Sequence, residues 1–326
     1  MMRMTSALIA TLLGLGLNVA PAHAQLSHTA VSALRGDDTN NCGVATPCRT
    51  LQRAHDATND QGEITVLDPG GYGSLTITKS ISIVNDGIGE ASVLVSGGGT
   101  GITINGNAGA YVNLRGITIQ GIGFGGGTGL VFNSGFALTI TNCVVRNHTG
   151  NGIVFQPHTA GQISLAVSNT LVADNGQNGI RVRPTAAIFS TVVASFSHVL
   201  ALNNSLDGIV IDGSAGSNVI STVVDSVAAT NGQVGFAAIN ANASTVTMMV
   251  IRSVAVRNNT GIRSENTIIA DVPAPPIVRV SQSSVTGNST SWVTAGASVL
   301  VSYGDNNLDG NFDGDPAAPT GIIGKK

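Results

Sequence analysis

Short segments of alternating apolar and polar residues recur along most of the chain, and each begins at a glycine. Seven of them start at positions 101, 129, 152, 179, 208, 235 and 261 and read GITIN, GLVFN, GIVFQ, GIRVR, GIVID, GFAAI and GIRSE. Alternation with a period of two predicts short strands, and the Asn/Gly-rich stretches between them predict turns. Ten-residue helical patterns are missing between these strands, so the sequence predicts a repeat whose strands stack as coils of a solenoid.

A second marker, asparagine in the turns, keeps nearly the same period. The asparagines of this marker are Asn147, Asn175, Asn203, Asn231, Asn258 and Asn288. Asparagine tolerates the left-handed turn conformation, and its amide can bond to the amide of an asparagine stacked one coil away. The spacing therefore predicts an internal asparagine ladder, with a structural role preferred over a ligand role.

Stacking predicts that equivalent positions of successive coils form columns. The residues directly after the glycines give a predicted inward column of Ile102, Leu130, Ile153, Ile180, Ile209, Phe236 and Ile262. Two residues further on comes a second one of Ile104, Phe132, Phe155, Val182, Ile211, Ala238 and Ser264. The residues that follow each member of these two columns are predicted to point outward, and they include the charged residues of the strands.

These units, together with the segment CRTLQRAHDATNDQGEITVLDPGGYGSLTITKSISI at 48–83, resemble the right-handed parallel β-helix proteins of the pectin-lyase-like superfamily. In that group an amphipathic helix precedes an I-x-V-x-x-G-x-Y entry strand, to which Ile64, Val66 and Tyr72 correspond. The resemblance implies an all-β chain folded as a single-stranded right-handed parallel β-helix, with a short N-terminal capping helix at 49–58. We expect a signal peptide at 1–24, an N-terminal segment and cap at 25–62, the β-helix at 63–316 and a tail at 317–326.

The beginning of the chain predicts export. Arg3 is followed by an apolar stretch and then by Ala22-His23-Ala24, a pattern typical of a secretory signal peptide that is cleaved before Gln25. The apolar stretch is too short to favour a membrane anchor. We therefore expect a secreted protein, extracellular or periplasmic, that is monomeric and does not span a membrane.

Composition excludes one class of partner. Charged residues make up 10% of the chain and the formal net charge is −3, so no basic face is available to neutralise a phosphate backbone. Nucleic acid is therefore not expected as a partner. The 42 glycines, with many Val, Ile, Thr, Ser and Asn, are typical of strands and turns.

The three cysteines have different predicted roles. Cys42 and Cys48 frame NCGVATPC and are expected to form a disulfide in an oxidising compartment. A zinc site is the alternative for this pair, but the spacing is unsuited to a zinc knuckle and no third ligand lies close by. Cys143 belongs to the cluster TNCVVRNHTGNGIVF at 141–155, which also contains Arg146 and His148.

That cluster contains groups that acid–base or nucleophilic chemistry uses, yet the repeat gives a simpler interpretation. Aligned on the asparagine marker, Cys143 shares its column with Leu171 and Val199 and is interpreted as a small buried apolar side chain. In the same alignment Arg146 lies beside Asp174, which predicts a charge contact between adjacent coils.

The strongest candidate binding site is an outward strip of charged residues, Arg181, Arg183, Asp212, Asp174 and Arg263. A shallow groove for a polysaccharide is one hypothesis. The alternative is a set of ion pairs between coils, which stabilise by at most about 1 kcal/mol each when exposed. The other carboxylates of the coils, Asp207 and Glu265 among them, are dispersed in the alignment and predict no catalytic pair.

The acidic tail GDNNLDGNFDGD at 304–315 matches half of a calcium loop. Asp305, Asn307, Asp309 and Asp313 correspond to oxygen-ligand positions, whereas Pro316 stands where a bidentate glutamate is expected. Calcium is the only cofactor that the sequence suggests. The alternative, which the incomplete match favours, is that these turns close the last coil.

Two functional hypotheses remain open. The favoured one is a non-catalytic surface protein that presents its side to a polysaccharide or a cell-envelope glycan. The other is a divergent carbohydrate-active enzyme, a polysaccharide lyase or hydrolase-like protein that acts on an acidic polysaccharide. Hydrolase-type motifs are absent, and the coils from Gly87 to Ala270 contain no lysine, so no catalytic residue is assigned.

Overall fold

The computed structural model describes residues 26–122, 125–185, 190–242, 244–267 and 274–324. The predicted signal peptide lies outside these residues. The described chain is all-β apart from one helix, and its strands form three parallel sheets that successive segments visit in turn. Strands are numbered in chain order, and most coils contribute one strand to each sheet.

Each sheet is a stack of counterpart strands from successive coils. The first sheet contains β1 (Leu26–Val31), β2 (Thr58–Val66), β5 (Ile81–Val84), β8 (Tyr111–Arg115), β11 (Ala137–Thr141), β14 (Gly161–Ser168), β17 (Ser190–Ser197), β20 (Asn218–Val224), β23 (Val246–Ile251), β26 (Ile277–Ser281) and β29 (Val299–Ser302). The second contains β3 (Gly70–Gly71), β6 (Ala91–Val95), β9 (Ile117–Gly121), β12 (Val144–Arg146), β15 (Leu171–Ala173), β18 (Leu200–Leu202), β21 (Val227–Ala229), β24 (Val254–Val256), β27 (Ser284–Thr286) and β30 (Asn307–Asp309). The third contains β4 (Leu75–Ile77), β7 (Thr100–Asn105), β10 (Thr128–Ser134), β13 (Ile153–Phe155), β16 (Ile180–Val182), β19 (Ile209–Asp212), β22 (Val234–Asn240), β25 (Thr260–Asn266) and β28 (Thr290–Ala295).

The two predicted inward columns are confirmed in the register of the third sheet. Ile180 pairs with Ile209, which pairs with Phe236, and the same register continues along the sheet. Every member of both columns is buried, and all except Ser264 belong to the main apolar core. The period-two pattern therefore fixes which face of each strand contributes to the apolar interior.

The internal asparagine ladder exists, but its register differs from the prediction at two positions. The ladder runs through Asn175, Asn204, Asn231, Asn258, Asn288 and Asn311, and each amide oxygen from Asn204 onward accepts from the side chain of the preceding member at 2.9–3.1 Å. Asn147 and Asn203 lie one residue earlier, with φ of 61° and 53°. They occupy the left-handed turn column, so including them in the ladder was wrong.

The same ladder explains five of the glycines at the start of third-sheet strands, Gly152, Gly179, Gly208, Gly235 and Gly261. A Cβ on Gly179 would lie 2.7 Å from Gly208 O and 2.8 Å from the Nδ2 of Asn204. Because no side chain fits between the ladder amide and the next coil, this turn position requires glycine.

The N-terminal end carries the expected helix, α1 (Leu51–Ala57). Thr50 is its N-cap, and the Thr50 hydroxyl accepts from the backbone N of Arg53 at 3.2 Å. Leu51 and Ala54 are buried, so the helix packs one apolar face on the first coils. Just before it, Cys42 and Cys48 form a disulfide with their Cα atoms 4.6 Å apart.

Candidate functional site

The charged residues of interest lie on the outward face of the third sheet. Arg181 of β16, Val210 of β19, Ala237 of β22 and Arg263 of β25 are in register on four successive coils. Because side chains alternate between the two faces of a strand, these four lie on one outward column.

Asp212 is the centre of the first ion-pair group. The Nη2 of Arg181 donates to Asp212 Oδ2 at 2.8 Å, and Arg183 Nε lies 3.3 Å from the same oxygen. Asp212 is buried, and burial by itself would raise its pKa. Hydrogen bonds from Arg181 and Ser214 outweigh that effect and hold the pKa of Asp212 below its usual value. The predicted contact between neighbouring coils is therefore present.

Asp207 is the centre of a second group. Arg263 Nη2 lies 3.9 Å from Asp207 Oδ2, and Arg263 Nε lies 3.3 Å from Glu265 Oε2. The backbone N of Val234 donates to Asp207 Oδ1 at 3.0 Å. Burial raises the pKa of Asp207 and exceeds the opposite effects of Arg263, Val234 N and Arg181. A buried carboxyl with a raised pKa beside an arginine is typical of functional sites.

Asp207 and Glu265 occupy different columns of the register, as expected, but Arg263 lies within 3.9 Å of a carboxylate oxygen of each. Asp207 precedes the glycine of its coil and continues a polar column in which Asn178 donates to Asn151 at 2.9 Å and accepts from Asp207 N at 3.2 Å. An aspartate in a column of asparagines was the signal that sequence inspection missed.

Apolar residues separate the two arginine groups. Val210, Val234 and Ala237 are buried and form a second apolar cluster outside the main core, with Ile239 packed against it. The side chains of Arg181, Arg183 and Arg263 are 34%, 44% and 24% exposed. This face is thus not covered by Ser and Thr: it combines partly exposed guanidinium groups, buried carboxylates and an apolar centre.

The fifth predicted member of the strip, Asp174, lies elsewhere. It occupies the left-handed turn column, with φ of 57°, and its Oδ1 accepts from Asn203 Nδ2 at 3.3 Å. The expected Arg146–Asp174 contact was wrong, because Arg146 pairs with Ala173 in the register and donates to Gln120 Oε1 at 3.0 and 3.2 Å. The one-residue error in the asparagine alignment caused the wrong prediction of an Arg146–Asp174 contact.

The same shift applies to Cys143 and His148. Cys143 aligns with Thr170, whose hydroxyl accepts from Cys143 N at 3.3 Å, rather than with Leu171. Its thiol is free and buried, and burial raises its pKa to about 11, so the side chain is not a thiolate nucleophile. His148 is also buried, and its backbone N donates to the ladder oxygen of Asn175 at 3.3 Å.

The acidic residues of the tail are engaged in the last coil. Ser281 Oγ donates to Asp305 at 2.9 Å, and Asp313 Oδ2 accepts from Ser291 N at 2.7 Å. Asn307 and Asp309 belong to β30, which pairs with β27. Within the described ranges, no group of three His, Cys, Asp or Glu side chains could hold a metal. The calcium site stays a prediction.

The architecture agrees with solved structures. A pectate lyase structure aligns with 89% of this chain and 81% of its own at 18% identity and a TM-score of 0.56. An alginate lyase from Paenibacillus sp. strain FPU-7 aligns with 91% of this chain and 99% of its own at 14% identity and a TM-score of 0.62. The chain has the right-handed parallel β-helix fold of the pectin-lyase-like proteins. At these identities the likeness shows the fold alone.

Neither a protein-family model nor a curated protein sequence matches the chain. In the described part of the chain, no α-helix is long and apolar enough to cross a membrane.

Proposed function

We propose that this β-helix binds an acidic polysaccharide on the outward face of the third sheet. The observation that carries the proposal is the gathering of Arg181, Arg183 and Arg263 on one face, each oriented by a carboxylate within 3.9 Å. Guanidinium groups bind carboxylates through two parallel hydrogen bonds, and a uronate residue presents a carboxylate on every sugar ring.

Three further considerations support the proposal. The pectate lyase and the alginate lyase that share the fold are named for acidic polysaccharides. The signal peptide predicted at 1–24 favours an extracellular or periplasmic location, where such polymers occur. The apolar centre formed by Val210 and Ala237 gives the face a rigid floor on which the arginines are held.

The experiment compares binding of polygalacturonate and alginate by the wild type and by an Arg181→Gln/Arg183→Gln double variant. Isothermal titration calorimetry should show affinity lowered about tenfold or more, since each substitution removes a charged hydrogen-bond donor. The matched control is Arg252→Gln, because Arg252 is also a partly exposed arginine paired with an aspartate, Asp225, but lies in a turn between the first and second sheets. Equal binding by the double variant and the wild type would refute the proposal.

A second candidate function rests on Asp207. A buried carboxyl with a raised pKa, 3.9 Å from Arg263, is suited to proton transfer, as a polysaccharide lyase or a hydrolase requires. The test incubates the protein with the same two polymers and follows new double bonds and new reducing ends. Turnover that Asp207→Asn abolishes would establish the enzyme, and binding without turnover would leave the non-catalytic function.

A further inference from the structure

A groove lies on the first sheet, over the N-terminal coils and away from Arg181, Arg183 and Arg263. Its volume is about 370 Å³, and we name it the Tyr111 groove. Its floor and rim include Asp60, Ser80, Ser82, Asn107, Tyr111 and Asn113. These residues come from β2, β5, β8 and the turns beside them, so the groove crosses three neighbouring strands.

Tyr111 presents its ring to solvent in a fixed position. Its side chain lies on the outward face of β8 and is 54% exposed. The ring centroid is 5.0 Å from that of Phe136 with the planes at 48°, and Tyr111 N donates to Ser80 Oγ at 3.2 Å. An exposed aromatic ring held by a second ring gives a preformed apolar surface at low entropic cost.

The polar groups around the ring are also held in place. Asn113 Nδ2 donates to Ser82 Oγ at 3.2 Å, and Asp60 Oδ1 accepts from Ser80 N at 2.9 Å. Asn113 keeps a carbonyl oxygen and a second N–H, and Asp60 keeps a second carboxylate oxygen, with which to bind hydroxyl groups. No arginine or lysine is among the described residues that line the groove. Its one carboxylate, Asp60, disfavours a uronate.

We propose that the Tyr111 groove binds a neutral sugar residue. One face of a pyranose ring carries C–H groups that pack on an aromatic ring, while its hydroxyls meet the amide of Asn113 and the carboxylate of Asp60. The ligand class differs from the uronate proposed for the third sheet, and the two sites lie on different sheets. The inference therefore does not depend on the proposed function.

The test uses calorimetry with hexasaccharides of neutral polymers: cellohexaose, xylohexaose and mannohexaose. We expect the wild type to bind at least one of them and Tyr111→Ala to weaken that binding about tenfold, whereas Tyr111→Phe keeps the ring and stays within about threefold. Phe312→Ala is the matched control, because Phe312 is an 84% exposed aromatic residue at the opposite end of the chain.

The outcomes separate the two proposals. Arg181→Gln/Arg183→Gln should leave neutral-sugar binding unchanged, and Tyr111→Ala should leave uronate binding unchanged. Thermal unfolding of each variant, followed by circular dichroism, confirms that the protein remains folded. Absence of binding to all three hexasaccharides, or a Tyr111→Ala variant that binds like the wild type, would overturn the inference.

Discussion

One complete coil separates the coil of Asp207 from the coil of Arg263 in the third sheet. Even so, Arg263 Nη2 lies 3.9 Å from Asp207 Oδ2. Val234 and Ala237 of the strand between them belong to the apolar cluster that is separate from the main core. Because Val234 and Ala237 are short, the long arginine side chain extends over them to the carboxylate. Charges that are distant in sequence thereby form one cluster.

Asp207→Asn should keep or raise stability at neutral pH. Burial raises the folded pKa of Asp207 above the ordinary 3.8, so its ionised form costs stability as pH rises through that range. An asparagine keeps an oxygen for Val234 N and matches Asn178 one coil earlier. Urea unfolding at pH 7 should give a free energy of unfolding at least equal to that of the wild type, and the difference should vanish below pH ~3.

The same variant separates the two functional hypotheses. If the face only binds, Asp207→Asn removes a negative charge beside Arg263 and should bind polygalacturonate as well as the wild type or better. If Asp207 transfers a proton, binding persists and turnover is lost. A clearly destabilised Asp207→Asn variant would contradict the account of Asp207 as a costly buried carboxylate.

Asp212 should behave in the opposite way. Its folded pKa is held below 3.8 despite burial, so its ionised form adds stability above the ordinary pKa, and this stability is lost as pH falls through the folded pKa. Asp212→Asn should lower the free energy of unfolding at pH 7 by about 1–3 kcal/mol, because a charged hydrogen bond to Arg181 is lost. The deficit should shrink toward pH ~2.

The control for Asp212 is Asp225→Asn, since Asp225 pairs with Arg252 at 2.8 Å on an exposed surface. Solvent screens such pairs, so its effect at pH 7 should be clearly smaller. Equal effects of the two substitutions would show that burial of Asp212 does not strengthen its ion pairs.

The asparagine ladder should be a major contributor to stability. Asn231 Nδ2 donates to Asn258 Oδ1 and to Ala201 O at 3.0 Å each, and Asn231 Oδ1 accepts from Asn204 Nδ2 at 2.9 Å. Asn231→Ala leaves several buried groups unpaired and should lower the free energy of unfolding by about 3 kcal/mol. Chemical denaturation measures the change.

Asn203→Gly is the matched comparison. Asn203 lies one column away, in an exposed turn with φ of 53°, which glycine adopts without strain. We expect its effect to be well under half that of Asn231→Ala. A larger loss at Asn203 than at Asn231 would mean that the turn conformation, rather than the buried ladder, stabilises the coils.

The fold was predictable because its signal is repeated. A glycine followed by alternating apolar residues fixes strand, face and period together, and the columns through Ile180 and Val182 followed from it without error. The ladder register was less certain from sequence, because asparagine suits both adjacent turn columns, the left-handed one of Asn203 and the buried one of Asn204. One residue of error there moved Asp174 and Arg146 to the wrong neighbours.

The candidate site was predictable only in part for a different reason. Arg181 and Asp212 occupy adjacent coils, so the column alignment brings them together directly. The contact of Asp207 with Arg263 crosses an intervening coil and depends on the small size of its side chains. An alignment of the sequences of neighbouring coils does not show that an arginine side chain can extend across one coil to a carboxylate on the next.

Cys143 should remain unreactive in the folded protein. Its thiol is buried beside the backbone oxygens of Thr141 and Leu114, and burial raises its pKa to about 11, so almost no thiolate forms at pH 8. Iodoacetamide at pH 8 should leave Cys143 unmodified in the native state and alkylate it in denaturant, as mass spectrometry can measure. Because Cys42 and Cys48 are joined in a disulfide, a single added group is expected in denaturant without reductant. Rapid alkylation of the native protein would show that this coil opens and would return Cys143 to the set of candidate nucleophiles.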